Sequence, residues 1–391
     1  MKIHEYQAKQ LLREFGLPVP DGTVAETADA AKAAARSLGG TRWVVKAQVH
    51  AGGRGKAGGI RLVDSHDEVR EVAERLLGTR LVTSQTGPEG KAVKHVYIEQ
   101  ACDVARECYL ALLVDRSVGR VAFMASKAGG TDIEDAAARA PDKIVRATID
   151  PVKGLEVAQA ARLAADLGLD GALEADAVEL LTGLYAAFTG TDASLIEINP
   201  LAVTTDGALR ALDVKMSLDD NALFRHPELE ALRDEDEVDP SELEAKRFEL
   251  NYVRLDGNIG VMVNGAGLAL ATVDILKQHG GAPADFMDVR PVATRDQIAT
   301  GFEMLLTNPK VKAILVNIYG GGILRCDTVA EGVAAACRDI GLGVPLVVRA
   351  AGTNMEMCRK ILVGQGIAVT FAEDMAEAAA EAVAAVKREA A

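Results

Sequence analysis

The chain has 391 residues, of which 49% are apolar, 26% charged and 4% aromatic. This is ordinary soluble composition with room for two or three domains. With 43 basic and 57 acidic side chains the net charge is −14. That argues against a nucleic-acid or anionic-membrane surface, and the shortage of aromatics argues against a stacking platform for single strands. The five cysteines show no Cys-x-x-Cys spacing, and the opening Met-Lys-Ile-His-Glu-Tyr-Gln has no apolar signal core. A reducing, cytoplasmic setting is expected. The most apolar stretch, Ile259–Leu276, contains Asn264, Asp274 and three glycines, and reads as strand, turn and helix rather than a membrane span.

In chain order, His4–Phe15 has helical spacing, with Ala8, Leu11, Leu12 and Phe15 on one stripe and Gly16 as its stop. An Ala-rich helix, Thr27–Leu38, precedes the strand Trp43–Val49, where Val44, Lys46 and Gln48 share a face. Ala51–Gly59 then places five glycines with Arg54 and Lys56 before the strand Ile60–Val63. Such a flexible basic flap lets backbone N–H groups approach phosphate oxygens, and a strand lysine such as Lys46 can reach the same phosphates. It is not a P-loop, because no G-x-x-x-x-G-K-[ST] can be read here. A mobile surface hairpin is the plainer alternative. Val93–Gln100, Glu107–Val114 and Arg120–Ser126 read as strands, with Glu99 and Glu107 on or beside them, and Leu155–Leu167 and Ala172–Phe188 as helices.

Ala193–Lys215 reads as a β-hairpin turning at Thr205-Asp206-Gly207. The loop pairs positions whose numbers sum to 412, so Asn199 faces Asp213 and Glu197 faces Lys215. Period-2 alternation puts these four on one face and Ile196, Ile198, Leu212 and Val214 on the other, apolar face. The polar face is either a solvated surface with a cross-strand ion pair or a Mg²⁺ site. Mg²⁺ takes oxygen ligands, keeps several waters and often accepts one or two protein groups plus nucleotide phosphates. Asn199 and Asp213 match that count. Pro200 lacks an N–H and points to an irregular or edge position rather than a central strand.

Arg233–Glu244 is densely acidic and reads as a solvated linker, so the main boundary is placed there. Beyond it, five strands (Ile259–Asn264, Ala284–Val289, Ala313–Tyr319, Pro345–Ala350, Ile367–Phe371) alternate with helices, as in a doubly wound parallel sheet. Ligands in such sheets meet the strand C-terminal ends. The loops there include Asn264-Gly265-Ala266-Gly267 and Gly320–Arg325. The first begins like G-x-G-x-x-G, but its third position is Leu270, so a nicotinamide-dependent dehydrogenase is weakly supported.

Several long strings, in order and over nearly the whole chain, resemble the β subunits of succinyl-CoA synthetases. They are His4–Lys9, Val44–Gly59, Leu195–Leu201, Asp219–Arg225, Leu255–Gly260 and Val263–Ala269. The resemblance implies an α/β chain with an ATP-grasp fold over residues 1–240 and a flavodoxin-like CoA-ligase domain over 245–391. It implies that Lys46, Gly53, Arg54, Gly55, Glu99, Cys102 and Glu107 hold the nucleotide, Cys102 through its backbone, and that Asn199 and Asp213 hold Mg²⁺. Pro20 is similar to the ATP-using branch. The family's reaction runs through an acyl phosphate and a phosphohistidine. The CoA and that histidine belong to an α subunit, in an αβ or α₂β₂ assembly. Glu197 would meet the phosphohistidine, and a carboxylate there could hold the imidazole tautomer that exchanges a phosphoryl group. Asn264 and Gly321-Gly322-Ile323 would complete the organic-acid pocket.

Three loops depart from the family pattern. Arg290-Pro291-Val292 stands where it shows three glycines, Gly320–Leu324 carries one glycine more, and Ala350-Ala351-Gly352 lacks an acid. Ala351 and Lys215-Met216-Ser217 are similar to malate–CoA ligases. The alternatives are therefore the same chemistry on malate or another carboxylic acid, or a partner subunit that has lost catalysis.

Overall fold

The computed structural model describes residues 1–130, 133 and 140–389. The chain divides into two compact units, Met1–Glu237 and Val238–Ala391.

The first unit is built on two antiparallel sheets. The larger runs in the order Lys2–Ile3, Val214–Leu218, Ala193–Thr204, Val104–Asp115, Arg120–Ser126 and Val145–Thr148, with Leu209–Ala211 paired to Ala193–Thr204. The smaller is Gly22–Ala25, His95–Gln100, Trp43–Gln48 and Ile60–Val63. Helices Val157–Asp166 and Glu174–Gly190 bury Leu163, Leu181 and Leu184 in the same core as Ile196, Ile198 and Phe123 of the larger sheet. Ala28–Leu38, capped by the Thr27 hydroxyl, and His66–Leu76, capped by Ser65, cover the smaller sheet around Val45, Val69 and Ile98.

The hairpin keeps the register its loop dictates. Glu197 pairs with Lys215, Ile198 with Val214 and Leu201 with Ala211, and Gly207 turns at φ +80°. Even-numbered Ile196, Ile198, Val214 and Met216 are buried, whereas Glu197, Asn199, Asp213 and Lys215 are half-buried. Pro200 stands at the irregularity expected of it: the strand is interior, but its ladder to Val104–Asp115 shifts register between Ile198 and Leu201. One expectation needs correcting. Leu212 is not core: the return strand breaks between Ala211 and Val214, and Leu212 lines a pocket.

The acidic block is not merely a solvated linker either. Asp234 pairs with His4, Asp236 with Lys94 and Glu237 with Lys91, so part of the run is fastened to the first unit by complementary charge.

The second unit holds a six-stranded sheet in the order Asn251–Arg254, Pro283–Asp288, Ile259–Val263, Ala313–Gly320, Leu346–Gly352 and Val369–Phe371. All pairings are parallel except the antiparallel edge strand Asn251–Arg254, which periodicity did not reveal. Separate cores lie around Phe302, Ile314 and Val348 and around Val261, Leu315 and Ala379, as expected for a sheet covered on both faces.

Candidate nucleotide and phosphoryl-transfer site

Lys46 lies on the strand Trp43–Gln48 with Val44 and Gln48 on its face, and is 5% exposed. The glycine-rich loop that follows is tied at its base, where Gly59 donates to the Arg54 carbonyl at 2.8 Å and Ala47 to the Gly59 carbonyl at 2.7 Å. Gly53, at φ +74°, turns the chain so that Arg54 points inward. Arg54 is therefore not a loose cationic cover: it is 5% exposed and donates to Ala47 O at 2.8 Å, Glu5 Oε2 at 2.7 Å and Asp213 Oδ1 at 2.6 Å. Lys56 remains exposed.

The ammonium of Lys46 reaches Glu5 Oε1 at 2.9 Å, the Leu212 carbonyl at 2.5 Å and the Glu99 carboxylate. The ammonium of Lys9, with no exposed surface, reaches Glu5 Oε1 at 2.9 Å, the Leu212 carbonyl at 2.6 Å and the other Glu99 oxygen. The strand break at Leu212 thus leaves a carbonyl for both lysines. Three cations (Lys9, Lys46, Arg54) face three carboxylates (Glu5, Glu99, Asp213), so the buried cluster is balanced, as buried charge requires. Burial pushes the Glu5 carboxyl upward, but Lys46, Lys9 and Arg54 outweigh it and hold the group well below the usual range. Burial likewise works against the charged forms of Lys46 and Arg54. Glu5 and Glu99 for the first, and Asp213 and Glu5 for the second, keep both raised.

Above this cluster a pocket of about 480 Å³ is lined by Lys46, Gly53, Arg54, Gly55, Glu99, Cys102, Glu107, Asn199 and Asp213. These are all the residues expected to bind nucleotide and metal. Val44, Leu62, Val104 and Pro200 give the pocket an apolar wall. Leu62 and Val104 are 57% and 38% exposed, so that wall is open to a flat ring. Glu197 lines an adjoining hollow of about 100 Å³, which shares Gly53, Arg54, Asn199 and Asp213 with the larger pocket. Asn199 and Asp213 therefore stand where the two spaces meet.

Asn199 Oδ1 accepts from the Gly130 N–H at 2.7 Å. Asp213 Oδ1 accepts from Arg54, and its side chain is 33% exposed. An amide oxygen and a carboxylate facing one polar pocket form a hard, all-oxygen donor set of the kind Mg²⁺ uses alongside water and phosphate.

Sequence reasoning missed Glu5 and Lys9. Glu5, Ala8, Lys9 and Leu12 form the buried stripe of the helix Glu5–Glu14, while Leu11 and Phe15 are only half-buried. The available signal was a pair of opposite charges at i, i+4 on the apolar stripe.

In the second unit the Asn264 side chain is committed to the backbone. Its amide donates to Tyr319 O and its oxygen accepts from Tyr319 N, both at 2.9 Å. This ties the end of Ile259–Val263 to the start of the Gly321-Gly322-Ile323 loop, where Ile323 is 70% exposed. At the departing loops, Arg290 pairs with Glu249, and the Ala351 carbonyl accepts from the Cys326 thiol at 3.3 Å. Nothing in the structure explains Pro291 or Val292. No helix among the described residues is long and apolar enough to cross a membrane.

Two family models match, an ATP-grasp domain over residues 2–203 and a CoA-ligase domain over residues 262–383. Among curated proteins, a succinate–CoA ligase [ADP-forming] subunit β of Anaeromyxobacter dehalogenans is 54% identical over 387 residues, covering 99% of this chain and 100% of that one. Proteins of the same name from Bordetella petrii (53%, with the same coverage) and Geobacillus thermodenitrificans (52%, 98% and 99%) are comparably similar. Among solved structures, ATP citrate lyase from Methanothrix soehngenii, in complex with citrate and coenzyme A, aligns with a TM-score of 0.74 at 19% identity. It covers 98% of this chain and 99% of that one, and so shares the fold.

Proposed function

The chain belongs to the family of ADP-forming succinate–CoA ligase β subunits, and from that premise we propose that it binds Mg·ATP in the first unit and works with a CoA-carrying α subunit. The reaction joins succinate, CoA and ATP into succinyl-CoA, ADP and phosphate. The observation that carries this reading is the gathering of Lys46, Arg54, Asn199 and Asp213 around one pocket, with Glu197 lining the hollow that adjoins it. Full-length identity above one half to chains named for succinate favours that acid over malate or a larger carboxylate, and the departing loops define no alternative acid.

In the proposed mechanism the purine lies against Val44, Leu62 and Val104, and the phosphates run inward to Lys46, Arg54 and the N–H groups of Gly53 and Gly55. Lys46 and Arg54 arrive already charged and fixed by Glu5, so they offset the growing negative charge on the transferred group without reorganising. Asn199 and Asp213 would hold Mg²⁺, which supplies further neutralisation of the phosphate oxygens. Glu197 faces the neighbouring hollow, where a histidine from the α subunit would enter. Its carboxylate would hold one imidazole nitrogen so that the other, unprotonated, faces the γ-phosphorus. The Asn264 and Gly321-Gly322-Ile323 region of the second unit would meet the acid.

The test is steady-state kinetics of the chain with its matching α subunit on succinate, malate and citrate. The reading predicts a large preference in kcat/KM for succinate. Turnover of malate or citrate at equal or higher kcat/KM would overturn the choice of acid. Absence of ATP-dependent histidine labelling on the α subunit would overturn the choice of reaction.

A further inference from the structure

A second polar cluster lies away from the nucleotide pocket, where the chain's start, the strand His95–Gln100 and the acidic run meet. The coordinating atoms of His4, His95 and Asp234 all fall within 4.8 Å of one another. His4 is 3% exposed, and its Nε2 stands 2.8 Å from Asp234 Oδ2. His95 turns Nε2 toward Glu26 Oε1 at 3.3 Å and leaves Nδ1 buried without a hydrogen-bond partner. His50 packs against His4 with ring centroids 4.4 Å apart, and its Nε2 is likewise buried without a partner. Orphaned imidazole nitrogens are uncommon, because a buried polar atom without a partner costs about 1–3 kcal/mol. The His95 ring lines a small cavity of about 20 Å³ with Asp234, Asp236, Glu237, Lys91 and Lys94, whereas His50 lines the hollow that Glu197 shares.

The charge nearby suits a cation. Lys94 is taken by Asp236 and Lys91 by Glu237, which leaves Asp234 and Glu26 to the imidazoles. The pairing of His95 Nε2 with Glu26 is also the arrangement by which a carboxylate fixes the tautomer of a ligating histidine, holding the proton on one nitrogen and the lone pair on the other.

We propose that His4, His95 and Asp234 form a binding site for a divalent transition-metal ion of the Zn²⁺ class, separate from the Mg²⁺ donors Asn199 and Asp213. Two imidazoles and a carboxylate are borderline ligands that favour Zn²⁺ or Co²⁺ over Mg²⁺. Ligand atoms held at about 2.0–2.1 Å in a tetrahedron stand further apart than a hydrogen bond allows, so the ion replaces the His4–Asp234 contact. The proton on His4 Nε2 moves to Nδ1, which is buried without a hydrogen-bond partner, as the ion enters. The ion would join the Lys2–Ile3 end, the strand carrying Glu99 and the 234–237 segment, and so brace the framework on which Glu5 and Glu99 are mounted.

The test is titration of the tag-free full chain with Co²⁺ alone, followed by visible absorption and by calorimetry in two buffers. The expected result is one equivalent bound with an intense tetrahedral spectrum, displaced by Zn²⁺ but not by excess Mg²⁺, with no net proton release. His95→Gln and Asp234→Asn should each abolish the spectrum. Glu26→Gln should weaken binding by about 10-fold, and Asp213→Asn should leave it unchanged. Circular dichroism confirms that each variant is folded, and the exposed Glu26 provides a variant with little risk to folding. Absence of the tetrahedral spectrum, or a spectrum unaffected by His95→Gln, Asp234→Asn and Glu26→Gln, would overturn the proposal.

Discussion

The guanidinium of Arg54 stands 2.6 Å from Asp213 Oδ1, so the cation proposed to bind phosphate is held by the carboxylate proposed to bind the metal. In the proposed mechanism the nucleotide and its Mg²⁺ separate the two, phosphate taking Arg54 and the ion taking Asp213. Each makes room for the other, so their binding is coupled. Mg²⁺ alone should bind weakly, and ATP should bind more tightly with Mg²⁺ than without. Arg54→Gln should lower Mg·ATP affinity about 10- to 100-fold, the cost of a charge-assisted contact. The same variant should strengthen binding of Mg²⁺ by itself. Calorimetric titration of each ligand checks both directions.

Glu5 and Lys9 are expected to act as positioning residues for the larger pocket, which each reaches through Lys46, Arg54 or Glu99, while Glu5 also lines the adjoining hollow. Lys9→Met removes one of the two ammonium partners of buried Glu99 and should cost about 3–5 kcal/mol of stability in urea unfolding. The double variant Lys9→Met/Glu99→Gln should lose less than the sum of the two single changes. Glu5→Gln should raise KM for ATP and reduce kcat together, with Glu5→Asp restoring part of both.

Acid should weaken the first unit through Glu5. Its folded-state pKa is depressed, so its contribution is present above the usual carboxylate value of 4.5 and is lost as pH falls toward the folded value. Urea midpoints of the wild type should therefore drop below about pH 4.5. The drop should be shallower in Glu5→Gln.

Asp285 has the opposite sign. Burial pushes this carboxyl up to about 6, only partly opposed by hydrogen bonds from Asn308 at 2.6 Å and Tyr252 at 3.2 Å. Its folded form prefers the proton, so stability is lost as pH rises from the ordinary value of 3.8 to about 6 and stays lost above. Asp285→Asn should stabilise the second unit by about 1–3 kcal/mol at pH 8 and by almost nothing at pH 4. Hydrogen exchange of the strand Pro283–Asp288 at the two pH values reads this difference.

Glu197 is expected to act on the partner histidine rather than on ATP. Glu197→Gln should leave Mg·ATP affinity of the chain within about twofold while slowing histidine labelling on the α subunit by about 10²–10⁴, the range of a lost acid–base partner.

The hairpin was legible because its information is local. Gly207 and a three-residue loop fix the register, and the register alone brings Asn199 opposite Asp213 and Glu197 opposite Lys215. The parallel strands of the second unit were legible from their apolar runs. Four things were not. The two-residue strand Lys2–Ile3 is too short to show a period, and it exists only because Val214–Leu218 offers it an edge. Asn251–Arg254 likewise follows from the free edge of Pro283–Asp288. Glu5 and Lys9 went unnoticed, because the partners that bury them, Lys46, Arg54 and Glu99, lie 37 or more residues away along the chain. The acidic run misled for the same reason: Lys91, Lys94 and His4, distant in sequence, supply its counter-charges.

The central claim is that Asn199 and Asp213 present a divalent ion to a nucleotide held by Lys46 and Arg54. Its most direct measurement is calorimetric titration of the full chain with ATP, with and without Mg²⁺, in wild type and Asp213→Asn. Asp213 is half-buried and faces the pocket, so the substitution is made without opening the core. The account predicts tight binding in wild type that depends on Mg²⁺, and loss of that dependence in the variant. Equal affinity of the two proteins for Mg·ATP, or wild-type binding indifferent to Mg²⁺, would contradict it.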